Sequence, residues 1–336
     1  MPARLRIATF NLESLDDRPH SGRDFADRLA VLRPQLTRLK ADVLCLQEIN
    51  ARADQRQGPR QLSALDRLLD GTGYAGFCRF VSVNRHGKRF SDRHNLVVLS
   101  RWPVRRSRQV WHDLVPPLHH RTVGGGVDLP VEWDRPVLHV ELDIGGPRPL
   151  HILNLHLRAP RAAFLSGLKD QGIWRSVGGW AEGFYLATLK QSGQALEVRL
   201  LLDSIFDGDP EALVAVCGDF NASDDETPLR IIRGDEEDTG NGHLAVRTLV
   251  PAERSLPPSQ RYTVIHHGRP VMLDHILLSR ALLGWYTGGE IHNETLGDEL
   301  VSPTLVRIPP SSYHAPTVAT FEPPDSPRPS AARDAS

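Results

Sequence analysis

Val214-Ala215-Val216-Cys217-Gly218-Asp219-Phe220-Asn221-Ala222-Ser223-Asp224-Asp225 is an apolar run of strand character that stops at a glycine, followed at once by an acid and an amide two residues apart. Alternate residues of a strand face the same way, so Asp219 and Asn221 share one side of the strand end. The same letters also suit an Asx-rich turn that opens a helix, because Asn, Asp and Ser favour turns and N-caps through local hydrogen bonds. Partners elsewhere in the chain decide between the two.

Working outward, residues around Ala195–Phe206 read as a helix. The segment 158–195, with Trp174, Trp180, Phe184 and Tyr185 among several glycines, reads as an insertion, a lid or a substrate wall. Val137–Ile144 and Leu150–Leu157 flank Gly145-Gly146-Pro147-Arg148-Pro149, whose turn chemistry predicts a hairpin. Downstream, Leu273–Leu278 and Pro316–Phe321 are the clearest strands. Near the start, Leu5–Phe10 and Val43–Leu46 read as buried strands. Between them Phe25, Leu29, Leu32, Leu36 and Leu39 are spaced 4, 3, 4 and 3 apart, one stripe of an amphipathic helix with Arg28, Arg33 and Arg38 elsewhere. Leu62, Leu65, Leu68 and Leu69 repeat the stripe. Tyr74–Val83 and Leu96–Leu99 are further strand candidates, and residues 112–135, with Gly124-Gly125-Gly126, read as a long surface loop near a site. No repeat or linker interrupts this order. The expectation is one domain over 1–321, insertion included, and a disordered tail over 322–336.

The 336 residues are enough to bury a sizeable core, and 40 Lys and Arg against 41 Asp and Glu give no electrostatic reason for tight, sequence-independent binding to nucleic acid. A nucleic-acid substrate that is only visited stays open. Cys45, Cys78 and Cys217 fall in strand-like runs and not at metal-ligand spacings, which predicts buried free thiols. The first residues lack the apolar core of a signal peptide and no run reaches the ~18 residues of a membrane span. The expected protein is a cytoplasmic monomer with no integral membrane segment.

Six polar signatures stand at the ends of apolar runs: Asn11, Gln47-Glu48, Asn154-Leu155-His156, Asp219-Phe220-Asn221, Asp274-His275 and His314. Core packing does not ask for them, since such groups are costly to bury unless paired or ligated. Together they offer oxygen ligands for a hard cation, an acid or base, and imidazoles to neutralise a phosphate. His275 alternates to the opposite face from Asp274 and is left out of the site, while the pairs His119-His120 and His266-His267 read as solvated loop residues.

The segments TFNLES, VLCLQEIN, LVVLSRWPV, LNLHL, VCGDFNAS, LDHILLS and SSYHAPTVATF, running in order from residue 9 to residue 321, resemble the motifs of the endonuclease/exonuclease/phosphatase superfamily. The resemblance implies an α+β fold, a four-layer αββα sandwich of two mainly antiparallel sheets flanked by helices. It also implies a metal-dependent hydrolase of phosphate esters acting by in-line attack of water. Glu48 would be the main carboxylate ligand of a Mg²⁺ or Mn²⁺ ion, with Asn11 ligating it or holding Glu48 or the phosphate. Asp219 would orient or deprotonate the water, Asn221 would bind a phosphate oxygen, and His156 resembles the family's acid or phosphate-binding histidine. Asp274 and His314 would form a carboxylate–imidazole pair. Either Asp219 or His314 could take the proton.

One motif departs from the pattern. The last usually reads Ser-Asp-His, and here it is Ser312-Tyr313-His314. Tyrosine is a poor Mg²⁺ ligand at neutral pH, which favours one ion over two. It also motivates a second reading, a degenerate member that binds a phosphorylated ligand without hydrolysing it. The substrate stays open among nucleic acid, a phospholipid head group and a small phosphodiester, and the Asn154-x-His156 form leans away from abasic-site repair.

Overall fold

A computed structural model of the chain describes residues 2–18, 24–53, 58–87, 89–123, 128–299 and 310–324. The first half carries β1 (Leu5–Leu15), α1 (Phe25–Leu39), β2 (Val43–Ile49), α2 (Ser63–Leu69), β3 (Cys78–Val81), β4 (Asn95–Ser100), β5 (Val104–Val110) and β6 (Val137–Leu142). The second half carries β7 (Leu150–His156), α3 (Val177–Gly208), β8 (Leu213–Asp219), β9 (Leu249–Pro251), β10 (Asp274–Ser279), β11 (Tyr286–Ile291) and β12 (Thr317–Phe321). Short hairpins and single helical turns fill the connections.

These strands form two six-stranded sheets, one ordered β11-β12-β1-β2-β4-β3 and the other β9-β10-β8-β7-β6-β5. Each has a single parallel pair at its centre, β1 with β2 and β7 with β8, and antiparallel pairs around it. Both central pairs are built from nearly continuous apolar runs, as strands covered on both faces require. Alternation along them sorts three hydrophobic layers. Ile7, Val43, Cys45, Val98, Ile152, Cys217 and Ile276 pack between the sheets. Phe10, Leu44 and Leu46 turn outward onto Leu32, Leu36 and Leu39 of α1 and Leu65 and Leu68 of α2. Leu153, Val214 and Val216 turn outward onto Val198, Leu202 and Phe206 of α3. This is the expected four-layer αββα sandwich.

Local departures from the sequence expectation have physical causes. The helix expected near Ala195–Phe206 begins at Val177, its N-cap Ser176 accepting from the Gly179 N–H at 3.0 Å. It therefore absorbs half of the segment read as an insertion. Glycine hides this helix because it is a poor helix former, yet a β-carbon on Gly193 would stand 2.2 Å from the Trp133 ring. Residues 112–135 are not one open loop: Leu118–Arg121 and Asp128–Val131 pair as a hairpin, while Gly124–Gly126 lie outside the described residues. Buried Glu197 of α3 holds the approach to that hairpin by accepting the N–H groups of Asp113, Leu114 and Val115 at 2.7–2.9 Å. Arg28 is buried, donating to the Leu12 carbonyl at 2.5 Å, where amphipathicity alone would leave it in solvent. Cys45 and Cys217 are buried thiols, but Cys78, on the edge strand β3, is exposed. The tail beyond 324 lies outside the described residues. Among the described residues no helix is long and apolar enough to cross a membrane.

Candidate active site

Register brings the signatures together. His156 ends β7, Asp219 ends β8 and Asp274 begins β10, and the pairing places His156 opposite Asp219 and Asp219 opposite Asp274. Asn11 lies opposite Gln47 on the other sheet, one residue before Glu48. Gly218 permits this approach. Its φ is +145°, and a β-carbon there would meet the Leu155 carbonyl oxygen at 2.0 Å. A buried polar bridge sets the two sheets against each other beside the site: Gln47 Nε2 donates to Asn154 Oδ1 at 2.7 Å and to Thr9 Oγ1 at 3.0 Å, and Asn154 Nδ2 donates to the main-chain oxygens of Leu46 and Val97.

Asp219 is the hub. Its Oδ2 accepts from Asn11 Nδ2 at 2.9 Å and lies 3.3 Å from His156 Nε2 and 4.0 Å from His314 Nε2. Its Oδ1 accepts the Asn221 N–H at 2.9 Å. Burial, and then the charge of Asp274, push the Asp219 carboxyl up to about 7 against the opposing pull of His314 and these hydrogen bonds. Burial would lower His314, but Asp274, hydrogen-bonded to Nδ1 at 2.8 Å, outweighs it and with Asp219 and Glu48 raises the imidazole to about 10. His156 goes the other way, held well below its ordinary value by burial and by Arg135 and His94 nearby. Neutral His156 leaves a buried Nδ1 with no partner among the described residues.

Glu48 sits at φ +61°, a left-handed conformation that a non-glycine residue keeps only under constraint. Its Oε2 accepts the Ser14 N–H at 2.8 Å, while Oε1 lies 3.8 Å from His156 Nε2. Burial favours the neutral acid, yet His94, Arg135 and His314 together lower its pKa. Glu48 so placed is a carboxylate with one oxygen outside any hydrogen bond among the described residues, a donor that suits a hard divalent cation, while the Asn11 amide oxygen accepts the Glu13 N–H at 2.9 Å. The chemistry of this donor fits a hard divalent cation at Glu48, and the ligand atoms of Glu48, His94 and His156 lie within 4.8 Å of one another.

All seven predicted residues thus stand around one cleft. Their contacts differ in two respects from the expectation. The Asn11 amide is turned to Asp219 and not to Glu48, and Asn221 uses Nδ2 to hold the Leu157 carbonyl at 3.1 Å. Ser312 Oγ donates to the Asn11 carbonyl and accepts the His314 N–H, so the final motif is anchored to β1, and Tyr313 is buried with its N–H on Glu13 Oε2. His275 is outside the cleft, buried between Glu253 and the Ala222 carbonyl. His120 is no solvated residue, since it pairs with Glu182 at 2.9 Å. His94 and Arg135 went unread in the sequence. The one available signal was the position of His94 immediately before a strand; Arg135, in a Trp-Asp-Arg-Pro turn, offered none.

A sequence model of the endonuclease/exonuclease/phosphatase family matches residues 8–314. Comparison with curated protein sequences returns no match. Among solved structures, truncated TDP2 of Caenorhabditis elegans is similar over 95% of this chain and 98% of that one, at 15% identity and a TM-score of 0.55. The 3' phosphatase NExo from Neisseria, solved with a product DNA hairpin, is similar over 94% and 99%, at 16% identity and a TM-score of 0.53. An AP endonuclease from Archaeoglobus fulgidus is similar over 95% and 99%, at 16% identity and a TM-score of 0.52.

Proposed function

The chain belongs to the endonuclease/exonuclease/phosphatase family, and from that premise we propose that it hydrolyses phosphate esters by in-line attack of water, with Mg²⁺ or Mn²⁺ held by Glu48 and Asn11. One observation carries the reading. A buried carboxyl poised near neutrality, Asp219, lies 4.0 Å from an imidazole that Asp274 keeps protonated, His314.

That contrast divides the two roles left open by the residue types. A general base works best when its pKa lies near the working pH, so Asp219 takes the proton of the attacking water. His314, an imidazolium through the neutral range, donates to a phosphoryl oxygen and neutralises its charge. Asn11 and the Asn221 main chain hold the two Asp219 oxygens in place, and the second hydrogen of Asn221 Nδ2 is available to the phosphate. His156, neutral, offers a hydrogen bond without a charge. The bound cation would polarise the phosphate and acidify water.

Turnover of a bis-aryl phosphate with Mg²⁺ or Mn²⁺ tests the proposal, with native chain compared against Asp219→Asn. Equal turnover in both would remove Asp219 as the base, and no turnover above the protein-free background in either would leave the reading of a ligand-binding protein that Tyr313 motivates. DNA enters the substrate panel because the NExo neighbour was solved with a product DNA hairpin and the Archaeoglobus neighbour is an AP endonuclease, alongside inositol phosphates, lysophospholipids and nucleotides. Metal-dependent nicking of plasmid is the expected outcome for a nuclease. Turnover of a small phosphodiester without nicking would remove nucleic acid from the panel.

A further inference from the structure

His94 stands at the edge of the cleft in a conformation that costs free energy. Its φ is +59°, and its N–H is clamped by Asn50 Oδ1 at 3.1 Å, Asn50 being held in turn by Asp16 at 3.1 Å. A β-carbon crowds the following carbonyl in that backbone, and glycine, which has none, adopts it freely. Backbone strain of this kind clusters at sites where the side chain it presents has a task.

The ring is as constrained as the backbone. Arg135 reaches from the turn before β6, and its Nη2 lies 2.8 Å from His94 Nδ1. A guanidinium has donors only, so Nδ1 must be the acceptor. A neutral imidazole that accepts at Nδ1 carries its proton on Nε2. That Nε2 has no hydrogen-bond partner among the described residues. The ring lies nearly parallel to that of His156, 11° between planes and 6.2 Å between centroids, and both imidazoles are grouped with Glu48. Arg135 also leans on the carbonyls of His156 and Leu157 at 3.4–3.5 Å, so one cation ties His94 to the end of β7.

We infer that His94 is an additional binding residue for the phosphoryl group, donating from Nε2–H to a phosphate oxygen on the Glu48 side of the cleft, and that Arg135 is the positioning residue that fixes its tautomer. The assignment rests on the phosphate-ester reading above. It excludes His94 from the metal's ligands, since a nitrogen that carries a proton has no lone pair to give.

The test uses the full chain without turnover. Long-range ¹H–¹⁵N correlation of the histidine rings is expected to show His94 as the Nε2–H tautomer, and Arg135→Met is expected to release it to a mixture. Inorganic phosphate binding, measured calorimetrically at saturating Mg²⁺, is expected to weaken about tenfold in His94→Gly, as for loss of a hydrogen bond to a charged acceptor. Mn²⁺ affinity, read by electron paramagnetic resonance, is expected to stay within about twofold of native. Glycine relieves the strained φ, so the variant keeps its fold. An Nδ1–H tautomer, unchanged phosphate binding, a native chain that binds no phosphate, or a large loss of Mn²⁺ affinity in His94→Gly would each overturn the assignment. The hydrolysis reading fails separately, when phosphate binds through His94 but no ester is turned over.

Discussion

In the proposed mechanism Asp219 and His314 take different roles, because burial acts on them beside different neighbours. Asp219 faces another carboxylate and is pushed up, whereas His314 is hydrogen-bonded to that same carboxylate and is held protonated. An acid raised from 3.8 to about 7 on folding contributes stability that is full below pH 4 and lost as pH rises through about 7. In metal-free protein, the Tm of Asp219→Asn should therefore gain on that of the native chain by a few degrees between pH 4 and pH 8. A pH-independent difference would contradict the sign. The same variant should lose about 10²–10⁴ in kcat, the range for a lost general base. The rate of the native enzyme should rise with pH through the titration of Asp219. Asp274→Asn removes the largest raising influence on His314 and should bring the alkaline limb of the kcat/KM profile down from near 10 toward neutrality. An unmoved limb would separate His314 from that limb. The types and order of these residues were legible in the sequence. Their division of labour was not, because it depends on a 2.8 Å contact between residues 40 positions apart.

At the level of elements, the two parallel pairs place the site. Asn11, Glu48, His156 and Asp219 belong to β1, β2, β7 and β8, and the close contact of β8 with β7 is possible because position 218 has no side chain. Gly218→Ala would meet both a positive φ and a main-chain oxygen at 2.0 Å. We expect a loss of roughly 3–5 kcal/mol in a urea titration, placing it among the larger single-residue effects. A loss under ~1 kcal/mol would mean that the strands can part without cost. Strands were legible wherever apolar runs ended in turn residues. The first half of α3 was not, since its glycines lower helix propensity while serving as seats for Trp133 and Trp174. Propensity is a local quantity, and the ring that fills each seat comes from elsewhere in the chain.

Across the whole molecule, the sandwich is held by three apolar layers and by the Gln47–Asn154 bridge, none of which involves the candidate metal ligands. Chelation should therefore abolish turnover while the far-ultraviolet circular dichroism stays unchanged, and Mn²⁺ should raise Tm with its concentration by mass action. Loss of secondary structure on chelation would show that the cation also holds the fold. By itself the sequence made the strand ends and seven polar side chains on them legible, because apolar runs and the polar residues that close them are written locally, and the fold class followed from the resemblance of its ordered motifs to a family. Only the tertiary structure decided which carboxylate is raised, where the Asn11 amide is spent, and that His94 and Arg135 stand at the cleft. Each of these depends on desolvation and on distances between distant segments, and those exist only once the two sheets have packed.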